Sequence, residues 1–383
     1  MDFIFHMPTK VIFGQGKVEE VGKHVKSIGN KALIVTGKSS AKKAGYFDIV
    51  TKALEKEGVG WIPFSEIESN PLTTTVDRGA EFARQNNINV VIGLGGGSAM
   101  DSAKAIAFGA KNEGSIAKYM GVNTQGEALP IVLITTTAGT GSEANNYAVV
   151  TDPETKIKKS ISSPHTYAKV SIVDPELMLT VPKKVTAYTG IDVFFHAMES
   201  YISKRCQPIT EVFALKAMSL VVENLKNVYE HGNELKYREP MAWANTLAGI
   251  AINLSGTCGI HGMGHPISAI YDIPHGETLA AVSKAFIKFN IPAAPKKFIK
   301  VAEILGAPSK DLSKMEIALK SVEALENLMS SVNLPTNLAA FGIKEGDLEE
   351  LAKSTYTHMR SNLEASPRQM TLDDVRRLFK ESL

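Results

Sequence analysis

A chain of 383 residues is too long for one ordinary core and suits two domains. With 44% hydrophobic and 21% charged residues it has the make-up of a soluble globular protein, and a formal net charge of +2 argues against a nucleic-acid or anionic-membrane partner. No apolar run approaches the roughly 18 residues that span a bilayer, and the amino terminus lacks the basic-then-apolar order of a signal peptide. Two cysteines, Cys206 and Cys258, cannot build a disulfide framework, so a cytoplasmic protein is expected.

The first half alternates short apolar runs with amphipathic stretches, the pattern of a parallel α/β sheet. Lys31–Thr36 reads as a buried strand, followed by a helical stretch near Asp48–Lys56 and a second strand at Val59–Phe64. Thr75–Asn86 has helical spacing, with Val76, Ala80 and Ala83 on one face. Asn89–Gly95 is the clearest strand, and Leu129–Thr137 is another. Beyond about residue 183 strands give way to helical stretches at Glu211–Val228, Met241–Leu254, Glu316–Val332 and Lys344–Tyr356. The expected organisation is an α/β dinucleotide-binding domain over 1–183 and an all-α domain over 184–383. Asp174–Pro182 would be the hinge, and a cleft between the halves the default ligand site.

Strand Asn89–Leu94 runs into Gly95-Gly-Gly-Ser-Ala-Met-Asp101-Ser-Ala-Lys104, whose later part reads as a helix. Glycines let backbone amides approach an anion, and a helix amino terminus offers unpaired N–H groups. Ser98 and Asp101 also have capping-box spacing, so part of this signal is explained by helix capping. A second small-residue loop, Thr135–Glu143, follows the next strand and suits phosphate, ribose or amide contacts, or else an ordinary polar turn. Two such loops at the carboxyl ends of apolar strands favour a dinucleotide.

The second half concentrates histidine. Asp192 and His196 are four residues apart, as are His261 and His265, and His275 lies in Pro274-His-Gly276. On a helix an i,i+4 spacing puts both side chains on one face. One carboxylate with several imidazoles suits a borderline divalent ion such as Fe(II), Zn(II), Co(II) or Ni(II). Spacing alone chooses neither the metal nor whether His265 is a ligand or an acid/base group. His231 has no such partner and reads as a surface residue.

These motifs resemble, in the same order, those of the iron-containing (group III) alcohol dehydrogenases, relatives of glycerol dehydrogenase and dehydroquinate synthase. The likeness begins at Met7–Gly14 and runs through Gly95–Lys104, Thr136–Glu143, Val173–Leu177, Gly190–Glu199 and His261–Pro266 to Pro274–Gly276. It implies a dehydroquinate synthase-like fold and hydride exchange between a nicotinamide coenzyme and a small alcohol or aldehyde. It also implies Asp192, His196, His261 and His275 as ligands of Fe(II), with Zn(II) its competitor, and His265 in a proton relay. Gly96, Gly97, Ser98, Asp101, Thr136, Thr137, Thr140 and Asn70 would hold the coenzyme, together with Lys158, whose neighbour Lys159 leaves the register open by one. A homo-oligomer, a dimer or larger, is expected on the same ground. A polyol oxidoreductase of the glycerol dehydrogenase kind and a lyase of the dehydroquinate synthase kind are the alternatives.

After Lys31–Thr36 comes Gly37-Lys-Ser-Ser-Ala-Lys-Lys43, with no acid before Asp48. A site selective for NAD commonly places a carboxylate there to bind the ribose 2′-hydroxyl. Relatives that prefer NAD have Asp where this chain has Gly37. Gly37, Ser39, Ser40 and the two lysines therefore point to NADP(H), unless the lysines merely form a solvated face. Phe194, Phe195 and Cys258, with no charged anchor nearby in sequence, suggest small aliphatic primary substrates; the bland reading of the two phenylalanines is that they face the core.

Overall fold

In the computed structural model, which describes residues 3–383, the apolar strands are buried on both faces. Side chains alternate sides along a strand. In β2 (Lys31–Gly37), Leu33 and Val35 enter one core with Phe64, Val76 and Phe108, while Ala32 and Ile34 enter another with Phe47, Val50 and Leu54. A strand covered on both faces reads as an unbroken apolar run, which is why these segments lack polar alternation.

The α/β unit comprises β1 (Lys10–Phe13), α1 (Val21–Lys26), β2, α2 (Ser40–Lys43), α3 (Tyr46–Lys56), β3 (Gly60–Ile67), α4 (Thr73–Gln85), β4 (Val90–Gly95), α5 (Gly97–Gly109), β5 (Ile131–Thr135), β6 (Ala148–Asp152), β7 (Ile157–Ile161) and β8 (Val170–Val173). Six strands pair in parallel in the order β1-β8-β5-β4-β2-β3, and β6 and β7 form a separate antiparallel hairpin. The chain runs outward from β2 to β3 and then returns to β4, so the order reverses between β2 and β4, where open α/β sheets bind ligands beyond the carboxyl ends of the strands. β4 and β5 pair from Val91↔Ile131 to Gly95↔Thr135, so the two small-residue loops leave the sheet side by side.

The remaining elements are helical: α6 (Lys183–Ile202), α7 (Pro208–Glu230), α8 (Leu235–Ser255), α9 (Gly259–Tyr271), α10 (His275–Asn290), α11 (Pro295–Ile304), α12 (Lys314–Ser330), α13 (Leu348–His358), α14 (Arg360–Ala365) and α15 (Leu372–Glu381). One compact unit is formed by residues 6–181 and 233–242, the other by 1–5, 182–232 and 243–383. The expected α/β-plus-all-α architecture is the one observed, with no strand after Val173 among the described residues. Nor is any described helix long and apolar enough to cross a membrane.

A buried ionic network ties α5 to the loop after β5. Lys104 is wholly buried, and its Nζ donates to Ser142 Oγ (2.7 Å), Asn145 Oδ1 (3.2 Å) and the Tyr147 carbonyl (2.8 Å). Three acceptors match the three N–H bonds of an ammonium group. Asp101, one turn earlier, accepts from Ser142 Oγ (2.5 Å) and the Val149 amide (3.0 Å). Burial pushes Lys104 down to about 8, against the pull of Asp101 and Glu143. Burial likewise raises the Asp101 carboxyl, against Lys104, Ser142 and Val149. Removing one partner of such a pair strands the other's charge, a loss of about 3–5 kcal/mol. Lys104→Met should therefore lower the urea midpoint without changing the slope, and adding Asp101→Asn should recover part of the loss. A Lys104→Met protein as stable as the parent would show that this network does not fasten the loops.

Candidate functional site

Helix α6 is buried on nearly all sides from Gly190 to Ile202. Among its apolar residues stand Asp192, His196 and Glu199, at i, i+4 and i+7 and hence on one face. Helices α9 and α10 pack on one another closely enough that a Cβ on Gly264 would meet Leu279 Cδ2 at 2.6 Å. A Cβ on Gly276 would strike the backbone carbonyl of Tyr188, so its absence lets the first turn of α10, with His275, lie against α6. His261 comes from the first turn of α9.

Asp192, His261 and His275 each offer a donor atom within 4.8 Å of the other two. His196 is beside this set and not in it: its ring stacks on His261 with centroids 4.5 Å apart, and its Nδ1 lies 3.6 Å from Asp192 Oδ1. His265 stands further out, its ring 5.0 Å from that of His275 and 6.2 Å from that of His261. His261 Nε2 lies 3.4 Å from Asp192 Oδ1 without hydrogen-bond alignment, and both atoms are buried and lack a hydrogen-bond partner. On its other side the His261 ring presents Nδ1 to Glu199 Oε2. Burial alone would hold this imidazole neutral, but the Glu199 and Asp192 carboxylates outweigh it and raise its pKa to about 9. Buried groups of this kind are normally paired. Oxygen and nitrogen donors that converge without a hydrogen bond between them, beside the Asp192 and Glu199 carboxylates, have the chemistry of a divalent-cation site, where a bound cation would replace the extra proton those carboxylates favour on His261.

Sequence reasoning passed over Glu199, although its spacing from Asp192 and His196 was there to be read. Phe194 and Phe195 follow the core-facing reading, and the expectation that they and Cys258 line an apolar cleft does not hold: all three are wholly buried, because α6 is surrounded by core and the start of α9 packs against it.

In the α/β unit, Gly95 has φ +153°, a conformation that disfavours any side chain, and a Cβ there would lie 2.8 Å from Ala99 Cβ. Gly96 and Gly97 run against Thr137 and Thr140, so the two loops touch where a larger residue would separate them. The first-turn N–H groups of α5 at Gly97 and Ser98 have no carbonyl within the helix to bond, which suits them to an anion. Thr136 donates its amide to the Gly95 carbonyl (3.0 Å), and Ser98 Oγ bonds the Ser69 carbonyl (2.5 Å). Asn70, next to it, accepts from Lys158 Nζ (2.9 Å). Strand β7 turns Lys158 to the buried face and Lys159 to the other, so Lys158 is the lysine that reaches Asn70. Asp101, by contrast, has both oxygens taken up by Ser142 and Val149. Gly37 ends β2, and Lys38, Ser39, Ser40, Lys42 and Lys43 beyond it are exposed. Of the carboxylates at the end of the neighbouring β3, Glu66 pairs with Arg78 (3.0 Å), while Glu68 accepts from Thr75 at Oε1 (2.8 Å) and keeps a buried Oε2 with no hydrogen bond.

Comparison with known proteins agrees along the whole chain. Residues 8–175 match the iron-containing alcohol dehydrogenase family, and residues 186–383 match the carboxyl-terminal domain of the Fe-containing alcohol dehydrogenase family. The chain is 34% identical over 380 residues to the NAD-dependent methanol dehydrogenase of Bacillus methanolicus, covering 99% of each. It is 35% identical over 383 residues to the 1,3-propanediol dehydrogenase of Citrobacter freundii, covering 99% of this chain and 98% of that one. The crystal structure of an archaeal halo-thermophilic alcohol dehydrogenase from a Red Sea brine pool superposes with a TM-score of 0.94 at 37% identity, covering 100% of this chain and 99% of that one. By sequence and by fold, the chain belongs to the iron-containing alcohol dehydrogenase family, a family of alcohol–aldehyde oxidoreductases.

Proposed function

We propose that this protein interconverts small aliphatic primary alcohols and aldehydes, using a divalent cation held by Asp192, His196, His261 and His275. Fe(II) is the proposed native ion, with Zn(II) its competitor because Zn(II) generally binds such ligands more tightly. The observation that carries this reading is the convergence of the Asp192, His261 and His275 donor atoms, two of them buried with no hydrogen bond. His196 joins as the fourth donor because it shares a helix face with Asp192 and stacks on His261. When bound, the cation supplies Lewis acidity toward the substrate oxygen, and the coenzyme accepts or returns the hydride. Residues 184–383 would serve as the metal domain and 1–183 as the coenzyme domain. The relatives named for methanol and 1,3-propanediol support small substrates without choosing between them.

The chain's own part is to hold and to move protons. Oxidation of an alcohol releases one hydride and one proton. His265, partly exposed and 5.0 Å from the His275 ring, would pass the proton outward. On the coenzyme side, Gly96, Gly97 and Ser98 would take the pyrophosphate on the first turn of α5, with Thr136, Thr137 and Thr140 opposite. Asn70 and Lys158 would act as a bonded pair, and Asp101 from behind the loop. Gly37, Ser39 and Ser40 would receive a 2′-phosphate, followed as they are by exposed Lys42 and Lys43 and by no acid before Asp48, and NADP(H) is the proposed preference, although Glu68 Oε2, unbonded just past β3, would oppose it. The NAD-dependent methanol dehydrogenase among the relatives pulls the other way. We extend the proposal to a cytoplasmic homo-oligomer, supported by exposed Phe3, Ile4 and Val212 beside the stacked rings of Phe5 and Phe213. Light scattering on the purified chain should return a mass of at least two protomers.

Chelation should abolish butyraldehyde reduction, and Fe(II) or Zn(II) should restore it. His261→Ala should lose metal and activity together, whereas His265→Ala should keep its metal and lose kcat. Metal analysis showing an empty site in His265→Ala would overturn the ligand assignment. For the coenzyme, kcat/KM should be higher with NADPH than with NADH, and Gly37→Asp should reverse the order. Equal or better kcat/KM with NADH in the parent protein would sink the NADP(H) preference.

A further inference from the structure

Glu199 lies seven residues after Asp192 on the buried face of α6 and is itself wholly buried. Its carboxylate does not point at the converging donors. It points at the start of α9, where it accepts the amide of Ile260 at Oε1 (2.7 Å) and that of His261 at Oε2 (3.3 Å). The same Oε2 faces His261 Nδ1. First-turn amides have no partner within their own helix, and the residue in the cap position, Cys258, makes no side-chain cap bond. Glu199 thus caps α9 from another helix, and the cap and the imidazole share one carboxylate.

That sharing has a chemical consequence. An ionised carboxylate only accepts hydrogen bonds, and a neutral imidazole carries its proton on one nitrogen or the other. With Nδ1 against Glu199, the proton belongs on Nδ1 and the lone pair on Nε2. Nε2 is the buried atom without a hydrogen bond that lies 3.4 Å from Asp192 Oδ1. We propose that Glu199 is a positioning residue that selects the His261 tautomer and fixes its ring, so that the Nε2 lone pair is delivered to the cation site. The proposal rests on the metal-site reading above, and it predicts more than capping does. In Glu199→Gln the amide oxygen can still accept from Ile260, but the amide –NH2 then meets His261 Nδ1 as a donor. The imidazole proton is driven to Nε2, into the cluster. The Ile260 bond of the cap survives, while the longer His261 amide bond (3.3 Å) and the Nε2 donor are lost.

The test strips the full chain of metal and titrates it with Co(II), following binding by calorimetry and by the Co(II) d–d absorption. The parent should bind one equivalent. Glu199→Gln should bind on the order of 10- to 100-fold more weakly, with an altered d–d band, while the melting temperature of the metal-free protein stays near that of the parent. Glu199→Gln binding Co(II) with the parent's affinity and spectrum would overturn the inference and leave the metal site standing. A parent chain that takes up no Co(II) would overturn the metal reading and this inference with it. If Glu199→Gln does not fold, imidazole 15N NMR of the Zn(II)-loaded parent decides: His261 should be protonated at Nδ1 and coordinated at Nε2. Coordination through Nδ1 would refute the role given to Glu199.

Discussion

The constraint on which the helical half depends is that α6 carries two carboxylates and an imidazole into a largely buried place. Taking an ionised carboxylate out of water costs several kcal/mol unless hydrogen bonds or opposite charge compensate. Glu199 finds its compensation in two backbone amides and a ring nitrogen at the start of α9. Asp192 keeps an oxygen with no hydrogen bond. Much of the local architecture follows from these needs. α9 must begin where Glu199 can cap it, and α10 must begin at His275 with a glycine behind it, because any side chain on Gly276 would strike α6 at Tyr188. A core built for stability alone would have used leucine at 192 and 199. The charge is therefore better explained by what it could hold than by what it contributes to folding.

In the α/β half the equivalent constraint is register. Parallel pairing of β4 with β5 carries two loops out of the sheet at the same level, and glycine at 96 and 97 lets the threonine loop close on the glycine loop. Behind them, Asp101 and Lys104 bind Ser142, Asn145 and the backbone of 147 and 149 from inside. An anion-binding loop gains from being held rigid, since backbone amides that are already oriented need not be ordered by the ligand. With both oxygens taken up by Ser142 and Val149, Asp101 holds the loop from behind, and on the reading proposed above it would act without direct contact to the coenzyme.

What could be read in the sequence followed the strength of local signals. β2, β4 and β5 have unbroken apolar interiors buried on both faces, and these make their positions legible. β1 and β8 are only four residues long, β8 is interrupted by Ser171, and the β6–β7 hairpin carries Lys158, Lys159 and Ser160; none of them announces a strand. Helix ends shifted where local chemistry intervened. α7 starts at Pro208, three residues before the expected Glu211, because proline suits a first helical turn. α13 starts late because a short 3-10 turn occupies Glu345–Asp347. At the site, the Asp192–His196 and His261–His265 spacings were visible, but nothing local to Pro274–Gly276 says that His275 meets them. Glu199 was silent because a glutamate in a helix ordinarily reads as a solvated face.

The burial of Phe194 and Phe195 shows where substrate choice does not reside. These residues lie between Asp192 and His196 in sequence, yet Phe194 projects from the opposite side of the helix, and Phe195, which flanks the polar face, is packed into the core. Because α6 is enclosed, its other faces are core. Sequence adjacency on a buried helix therefore does not imply contact with a ligand, since residues one and two positions away turn by about 100° and 200° and those that remain near the polar face can still be packed into core. The cluster of Asp192, His196, Glu199, His261 and His275 bears on the class of chemistry. Discrimination among alcohols has to come from side chains that meet the substrate's carbon chain, and these are not the sequence neighbours of the cluster on α6.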